Sequence, residues 1–318
     1  IFFWVARMIM AGYEYEGDKP FRSVYFTGIV RDKLGRKMSK SLGNSPNPLD
    51  LIDQFGADGV RMGMMLSAPA GNDILFDESL CEQGRNFCNK IWNAFRLVQG
   101  WQVDENLAQP ATSQQATEWF AAQLRKSAAT IADLFSKYRI SEALMEVYRL
   151  FWDEFSSWYL EMVKPAYGQP IDNETYKATL RYFETLLNML HPFMPFITEE
   201  LWQNLAQRSE GESIMNAQQR PASPADEAFL QRIASVKQIV SGVRMVRNQK
   251  NIAPKEQLSL HAIGQNRYAQ YNDVVTKMAN LDQVEVVTEK AADTAQFMVG
   301  TDEYAVPIGN LVDVEAEI

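Results

Sequence analysis

The segment 141–164 carries the clearest hydrophobic pattern in the chain. Its apolar residues recur at intervals of three and four, which predicts one helix with a wide buried face. These residues are Leu144, Val147, Tyr148, Phe151, Trp152, Phe155, Trp158, Tyr159 and Met162. Pro165 and Gly168 follow and end the helix. Because such a face has to be covered by other helices, the segment predicts a helical bundle.

The neighbouring segments supply the other helices of this bundle. Helices are predicted over 119–137 and 173–190, and Pro192 and Pro195 bend the chain into a further helix over 197–206. The aromatic residues of the bundle could stack RNA bases in principle. At helical spacing, however, aromatic residues more often form a core, and we expect a core here.

Composition restricts the possible functions. The chain has 318 residues, of which 46% are hydrophobic, enough for two or three domains with packed cores. The net charge is −9, whereas a protein that binds nucleic acid through its general field is usually basic. Any RNA contact therefore depends on local patches, which argues against a nonspecific nucleic-acid binder. No apolar run is long enough to span a membrane, and no signal peptide is visible.

The two cysteines, Cys81 and Cys88, lie seven residues apart in a predicted helix. Two helical turns separate their side chains, which is too far for a mutual disulfide. A zinc site would need more ligands at closer spacing, so no metal site is predicted. We expect reduced thiols in a cytosolic protein.

A basic loop between a predicted strand and a predicted helix is the strongest candidate for chemistry. The apolar run 24–30 predicts a buried strand and leads into the sequence G-I-V-R-D-K-L-G-R-K-M-S-K-S-L-G-N at 28–44. Gly35 and Gly43 permit turns on either side of the lysines. Asn47-Pro48 is typical of an N-cap followed by the first position of a helix.

Lys37 and Lys40, three residues apart on this loop, can reach one polyphosphate together. Ammonium groups are compact charges on flexible stems, and near a phosphate they stabilise the charge that grows during displacement at phosphorus. The alternative is a solvated turn of lysines and serines, which is the commoner role of a charged run.

Several motifs, in order along the chain, resemble those of one protein family. This resemblance favours phosphate binding by the loop over a solvated turn. The loop K-M-S-K-S-L-G-N resembles the signature loop of class I aminoacyl-tRNA synthetases, and G-A-D-G-V-R at 56–61 resembles a helix of the same family. The string F-F-W-V-A-R-M at 2–8 resembles the valyl family. Further strings resemble the valyl, isoleucyl and leucyl group, namely Trp158-Tyr159, Lys164-Pro165, His191-Pro192-Phe193 and Thr198-Glu199-Glu200-Leu201-Trp202. The chain is identified as a C-terminal portion of a member of the valyl family.

The resemblance implies a two-step reaction in the parent enzyme. Valine attacks the α-phosphorus of ATP, and the terminal ribose of tRNA(Val) then attacks the acyl group. Lys37 and Lys40 would hold the β- and γ-phosphates, with Lys40 the more important. Met38 would lie near the adenine, and Ser39 and Ser41 would shape the loop or donate hydrogen bonds. Mg²⁺ would enter with ATP as the substrate complex, and no bound cofactor is expected in this portion.

The resemblance also implies a cytoplasmic monomer that acts on tRNA(Val), ATP and valine. The family's H-x-G-H segment is missing, since the only histidines are His191 and His261. This chain alone is therefore expected to be catalytically incomplete. Two alternatives stay open at this point: a fragment of an isoleucyl or leucyl enzyme, and a stand-alone tRNA-binding module that has only the bundle in common with the synthetases.

Three residues outside the loop have two possible roles each. Trp4 is either a core aromatic on a helix or, by the resemblance, a wall of the pocket for the valine side chain. Asp58 and Arg61 share a helix face. They form either an ordinary surface pair or a junction between the loop and the RNA-binding part, and we expect a structural role for both.

Two groups of polar residues are candidates for tRNA contact. The first lies on one face of a predicted helix and consists of Arg85, Asn86, Lys90, Asn93 and Arg96. The second lies at the end of a helix that is predicted from Pro224, after the cap Ser223, to about Lys250, and consists of Arg244, Arg247 and Lys250. A solvated face is the alternative for the first group, and a favourable interaction with the helix dipole is the alternative for the second.

The remaining residues predict a small α/β module. Strands are expected over 258–263 and 284–287, a helix over 267–279, and a hairpin over 296–307, while 311–318 looks like the opening of another helix. The fold is thus predicted to be mostly α, with the end of a Rossmann-like catalytic domain, an all-α anticodon-binding bundle and this module. The predicted domains are 1–46 with the loop, 47–105 as a helical junction, 106–222 as the bundle, and 223–318 as a long helix with the module.

Overall fold

The structure, a computed structural model, describes residues 3–68, 72–217 and 224–309. It is mostly helical, with one four-stranded sheet near the C-terminus, which confirms the predicted fold class. The predicted opening of a helix at 311–318, the cap Ser223 and Phe2 of the first motif lie outside the described residues. No helix in the described part of the chain is both long and apolar enough to cross a membrane.

The first region begins with helix α1, Trp4–Ala11, which continues as a π-helix over Gly12–Glu16. The helix runs through Gly12 and ends at Gly17, whose φ of 72° favours a glycine. Strand β1, Val30–Arg31, pairs in parallel with β2, Ile74–Leu75.

The predicted buried strand at 24–30 is wrong except for its last residue. Val24, Tyr25, Phe26 and Ile29 are each 40–53% exposed. A parallel strand is buried only when neighbours flank it, and the described chain supplies the two-residue β2 alone.

Two short helices lead from the loop into a long one. Helix α2 spans Pro48–Phe55, α3 spans Ala57–Leu66, and α4 spans Glu78–Gln99. The predicted start of α2 is confirmed, because the Asn47 side chain accepts the N–H of Leu49 and Pro48 occupies the first turn. Helices α3 and α4 touch backbone to backbone: a Cβ on Gly84 would lie 2.4 Å from the carbonyl oxygen of Gly59. This contact requires glycine and ties α4 to the loop region.

The bundle follows β3, Val103–Asp104. Helix α5 covers Ala111–Ser136, and a continuous helical segment is formed by α6, Ile140–Arg149, a π-helix, Leu150–Tyr159, and α7, Leu160–Val163. Strand β4, Ile171–Asp172, pairs with β3 and precedes α8, Asn173–Leu190, and α9, Pro195–Leu205. The predicted helices over 141–164 and 173–190 are confirmed. A wide π segment interrupts the first of these two helices.

Aromatic rings fill the centre of the bundle. Phe120, Phe151, Phe155, Tyr159 and Phe183 are 0% exposed and contact one another at ring-centroid distances of 5.0–5.8 Å. Such contacts are stabilising beyond the burial of apolar area. The prediction that these aromatic residues form a core is confirmed.

Two helix starts differ from the prediction. Helix α5 begins at Ala111, eight residues before the predicted start at Trp119. Its first turns bury Ser113, Ala116 and Thr117, which are small and give no hydrophobic periodicity. Helix α10 spans Glu227–Gln249 and begins after the cap Asp226, whose carboxylate accepts the N–H of Phe229.

The C-terminal module is the predicted α/β unit. Strand β5 spans Leu258–Ile263, helix α11 spans Asn272–Ala279, and β6, β7 and β8 span Leu281–Val287, Thr294–Val299 and Asp302–Pro307. The sheet order is β6-β5-β8-β7, with β5 and β6 parallel and the other pairs antiparallel. Helix α10 packs on β7, where the Phe297 ring lies against Gly242.

Candidate functional site

The loop places both lysines of the K-M-S-K-S string in solvent. Lys37 and Lys40 are exposed, and neither ammonium group has an ion-pair partner among the described residues. Ser39 begins a short 3-10 helix, Lys40–Leu42, by accepting the N–H of Leu42 at 3.3 Å. Its hydroxyl oxygen also lies 3.2 Å from that of Ser41. Unpaired cations on a shaped loop can bind an anion without first breaking an internal contact.

Asn44 braces this loop from behind. Its Nδ2 donates to the Asp32 carboxylate at 2.9 Å and to the carbonyl oxygen of Lys37 at 3.3 Å, while its Oδ1 accepts the N–H of Ser39 at 2.9 Å. The Asp32 carboxylate also accepts the N–H groups of Leu34 and Arg36 and the Arg36 guanidinium. Hydrogen bonds from Asn44 and then Arg36 hold the pKa of Asp32 far below its usual range. The brace fixes the backbone on both sides of Lys37.

Two further ion pairs fix the base of the loop. Arg31 pairs with Asp73, which also accepts the N–H of Ile29 at 3.0 Å. Lys33 pairs at 2.9 Å with Asp77, the N-cap of α4, whose carboxylate accepts the N–H of Ser79. The backbone N–H of Ser79, followed by Lys33, lowers the pKa of Asp77 to about 2. The loop is therefore anchored to the start of the long helix.

Met38 points the other way from the lysines. It is half-buried and packs against a small apolar cluster of Leu51, Phe55, Phe76 and Cys81. A cavity of about 630 Å³ opens beside it. The charged residues Asp32, Lys33, Arg36, Asp77, Glu78, Glu82 and Arg85 line this cavity.

Trp4 lies on the surface, 66% exposed, so the role of a core aromatic does not fit it. It lies beside Phe3 and within 6.0 Å of the Arg7 guanidinium. The position leaves its indole accessible to a ligand or to another protein surface.

Asp58 and Arg61 join α3 to the start of α9. The Asp58 carboxylate, 5% exposed, accepts the N–H groups of Phe196 at 3.4 Å and Ile197 at 2.7 Å, and so caps α9 from a distant helix. Arg61 donates to the carbonyl oxygens of Phe193 at 3.0 Å and Pro192 at 3.2 Å. Burial raises the pKa of Asp58. The structural role expected for both residues is confirmed, and the surface pair is excluded.

The five candidate tRNA contacts on α4 differ in accessibility. Asn86, Asn93 and Arg96 are exposed. Arg85 is half-buried and pairs with Glu82 at 3.1 Å, and Lys90 is half-buried with its ammonium 5.2 Å from the Trp152 ring centroid. The helix therefore presents a polar face whose most accessible positions are the two amides and Arg96.

The three candidate tRNA contacts at the end of α10 also differ in accessibility. Arg247 is only 7% exposed, and its guanidinium donates to four carbonyl oxygens, those of Ala253, Glu256, Ala279 and Asn280, at 2.8–3.3 Å. The predicted phosphate contact of Arg247 does not fit this position, because the chain itself occupies its donors. Arg244 is exposed and makes one such bond, to Met278 at 2.8 Å. Lys250 is half-buried.

Sequence reasoning missed the brace residues Asp32 and Asn44. Both stand next to the motif, and an acid and an amide flanking a lysine-rich loop are the available signal. The partners of Asp58 and Arg61 left no local signal, because they lie more than 130 residues further along the chain.

Two known protein families match parts of the chain, and together they give the class of protein that this fold and loop define. The family "tRNA synthetases class I (I, L, M and V)" matches residues 1–77, which include the whole loop. The family "Anticodon-binding domain of tRNA ligase" matches residues 117–262, which include most of the bundle and α10. The chain therefore combines parts of a class I aminoacyl-tRNA synthetase.

Individual relatives narrow the class. A valine–tRNA ligase of Phocaeicola vulgatus is 65% identical over 318 residues, which is 100% of this chain and 36% of that protein. The Bacteroides thetaiotaomicron valine–tRNA ligase is 64% identical over 320 residues, and that of Thermotoga maritima is 36% identical over 318 residues, again with 36–37% of their length matched. A crystal structure of an Agrobacterium radiobacter K84 LeuRS–tRNA–LeuAMS complex matches 92% of this chain and 33% of its own, with 16% identity and a TM-score of 0.49.

The chain belongs to the valine–tRNA ligase family and spans about a third of the length of the curated relatives it matches. The assignment to the valyl family from the sequence is confirmed.

Proposed function

We propose that this chain forms the ATP loop and the tRNA-binding portion of a valine–tRNA ligase, which activates valine with ATP and transfers it to tRNA(Val). The observation that carries the proposal is the braced loop, which presents Lys37 and Lys40 to solvent without internal partners among the described residues. The parent reaction depends on positioning and on stabilising charge at phosphorus, and two ammonium groups carried by a braced backbone supply both.

In this proposal, Lys37 and Lys40 bind the β- and γ-phosphates of ATP, which arrives with Mg²⁺ as its substrate complex. Ser39 and Ser41 shape the turn between the two lysines. Met38 contributes a thioether near the adenine and anchors the loop to the apolar cluster. Trp4 forms an apolar wall for the valine side chain, consistent with its exposure.

The bundle and α4 bind the tRNA. Asn86, Asn93 and Arg96 are the accessible contacts on α4, with Arg85 and Lys90 beside them. Arg244 and Lys250 continue the surface at the end of α10. In a chain of net charge −9, a few local cations have to supply the phosphate contacts.

Asp58 and Arg61 give the two sites a rigid connection. Both side chains bond to the backbone at the start of α9, while α3 contacts α4 through glycine.

We propose domain limits of 1–46, 47–105, 106–222 and 223–318, with 47–105 as the junction. We also propose that the protein is a monomer and lies in the cytoplasm. Without an H-x-G-H segment, this chain alone is expected to give no valine-dependent ATP–pyrophosphate exchange.

Binding of the chain to tRNA(Val) and to a second tRNA, measured across a salt series, tests the RNA half of the proposal. We expect a preference for tRNA(Val) and an affinity that falls with salt. Arg96→Ala should weaken binding and reduce the salt slope by about one. Arg232→Ala is the matched control, because Arg232 is an exposed arginine on α10 outside the proposed surface. Equal binding of both tRNAs, or none, would contradict the proposal.

A further inference from the structure

A single side-chain amide bridges the backbone at the centre of the ATP loop. The Asn44 Nδ2 donates to the carbonyl oxygen of Lys37 at 3.3 Å, and its Oδ1 accepts the N–H of Ser39 at 2.9 Å. The bridge spans Met38. Lys37 therefore lies at one end of the bridge, and Lys40 follows the other end.

The bridge acts on Lys40 through Ser39. The Ser39 hydroxyl accepts the N–H of Leu42 at 3.3 Å and so begins the 3-10 helix Lys40–Leu42. The N–H of Gly43 closes this turn on the carbonyl oxygen of Lys40 at 3.2 Å. The amide of Asn44 thus fixes the backbone from which both lysine side chains extend, while their ammonium groups stay in solvent.

The Asp32 carboxylate holds Asn44 in place. Its Oδ2 accepts the Asn44 amide at 2.9 Å and the Arg36 guanidinium Nε at 2.8 Å, and its Oδ1 accepts the backbone N–H groups of Leu34 and Arg36. Asp32 is 9% exposed. Because Arg36 directly precedes Lys37, the carboxylate ties Asn44 to the turn that leads into the first lysine.

The hydrogen bonds of Asn44 define which chemical group position 44 needs. Two acceptors, the Asp32 carboxylate and the Lys37 carbonyl oxygen, surround its nitrogen, and one donor, the Ser39 N–H, faces its oxygen. An amide satisfies all three, whereas an aspartate of the same size offers acceptors only. Asn44 and then Arg36 hold the pKa of Asp32 far below its usual range, so the bond from Asn44 goes to an ionised carboxylate.

We propose that Asp32 and Asn44 are positioning residues for the formation of valyl-adenylate, which act through the backbone that carries Lys37 and Lys40. The inference rests on the proposed function, in which these lysines bind the β- and γ-phosphates of ATP. Those phosphates leave as pyrophosphate in the first step. The transfer of valine to tRNA therefore proceeds without help from Asp32 and Asn44.

The test is Asn44→Asp in a full-length valine–tRNA ligase that carries this sequence. We expect the single-turnover rate of adenylate formation to fall about 10- to 100-fold, because three acceptors then meet without a proton between them. The KM for ATP should change less than about threefold, since the lysines act mainly on the charge that grows in the transition state. The rate of transfer to tRNA(Val), measured after the adenylate has accumulated on the enzyme, should not change.

Two further variants keep the test independent of the added charge. Asn89→Asp adds the same charge at an exposed position on α4 and should leave both rates unchanged. Asn44→Ala removes the bridge without adding a charge, and we expect a smaller loss in adenylate formation, about 3- to 10-fold, again with unchanged transfer. Urea denaturation of each variant confirms that the rates are measured on folded enzyme.

Exchanging the two groups tests whether Asp32 acts through Asn44. The variant Asp32→Asn/Asn44→Asp restores a donor and an acceptor between the two positions but not the bond to the Lys37 carbonyl oxygen. Adenylate formation should therefore recover in part, by about threefold or more over Asn44→Asp alone. No recovery would overturn the role assigned to Asp32.

The variant Lys37→Ala/Lys40→Ala, assayed in parallel, separates this inference from the proposed function. If it loses adenylate formation while Asn44→Asp keeps the unchanged rate, the inference fails and the proposed function stands. Equal slowing of adenylate formation and transfer in Asn44→Asp would also overturn the inference, because it would show a general structural defect. If the lysine variant keeps the unchanged rate, the proposed function fails and this inference fails with it.

Discussion

Two pairs of basic residues, read from the same sequence, have opposite surroundings in the fold. Lys37 and Lys40 are exposed and have no ion-pair partner among the described residues. Arg61 and Arg247 direct their guanidinium groups at backbone carbonyl oxygens, two for Arg61 and four for Arg247. Both pairs lie in motif-like strings with further charges. What separates them is whether the chain itself supplies acceptors.

The difference shows where the molecule can accept an anion. A planar guanidinium matches several carbonyls at once, so the fold uses arginine to join helices and turns. Lysine on a braced loop keeps its charge available for a phosphate. The comparison assigns Arg61 and Arg247 to stability and Lys37 and Lys40 to chemistry, and the following variants can break or sharpen that assignment.

Arg247→Met should give the largest loss of stability. The change leaves four carbonyl oxygens without their donor in a place that is 7% exposed, and we expect the free energy of unfolding to fall by about 3 kcal/mol. Urea denaturation measures it. Arg232→Met, an exposed arginine on the same helix, should change stability by less than about 0.5 kcal/mol. A loss of tRNA affinity at unchanged stability would contradict the assignment of Arg247.

Asp58→Ala should cost about 2 kcal/mol, because it removes the carboxylate that caps α9 at Phe196 and Ile197. Asp53→Ala, at an exposed position on α2, is the control and should be neutral. Equal stability of the two variants would show that the contact between α3 and α9 does not hold the regions together.

Asn44→Ala should cost about 1 kcal/mol and loosen the loop, since three hydrogen bonds of the brace are lost. The sharper measurement is the rate of trypsin cleavage after Lys37 and Lys40, which should rise. Asn89→Ala, on the exposed face of α4, should leave that rate unchanged. An unchanged rate in Asn44→Ala would mean that the brace does not order the lysines.

Acid should weaken the anchor of α4. The folded pKa of Asp77, about 2, lies below its ordinary value of 3.8, so its contribution to stability is present above pH 4 and is lost as the pH falls toward 2. The free energy of unfolding, measured from pH 5 to pH 2, should fall less steeply in Asp77→Asn than in the unchanged chain. Parallel profiles of the two proteins would contradict this role for Asp77.

Local pattern predicted those parts of the fold whose partners are local. The limits of α8 and β5 were read correctly, because hydrophobic spacing and caps define them. The start of α5 was missed, since its first turns bury Ser113, Ala116 and Thr117 rather than large apolar residues. The strand at 24–30 was overestimated, because apolar composition does not say whether neighbouring strands are present.

The candidate site was likewise predicted only where its residues form a local motif. The loop, its turns at Gly35 and Gly43 and its two lysines were identified from the motif. The structural role of Arg247 could not be predicted from the sequence, because its carbonyl acceptors come from two segments that the fold brings beside α10. The backbone contact at Gly59 and Gly84 likewise depends on how two helices cross, which no single segment encodes.

The most direct test is the variant Lys37→Ala/Lys40→Ala in a full-length valine–tRNA ligase that carries this sequence. Valine-dependent ATP–pyrophosphate exchange and the free energy of unfolding are measured on the same samples. The account predicts a loss of exchange of about 100-fold or more, with stability within about 0.5 kcal/mol of the unchanged enzyme. Unchanged exchange, or a loss that follows a fall in stability, would contradict the claim that the exposed lysines serve chemistry and not the fold.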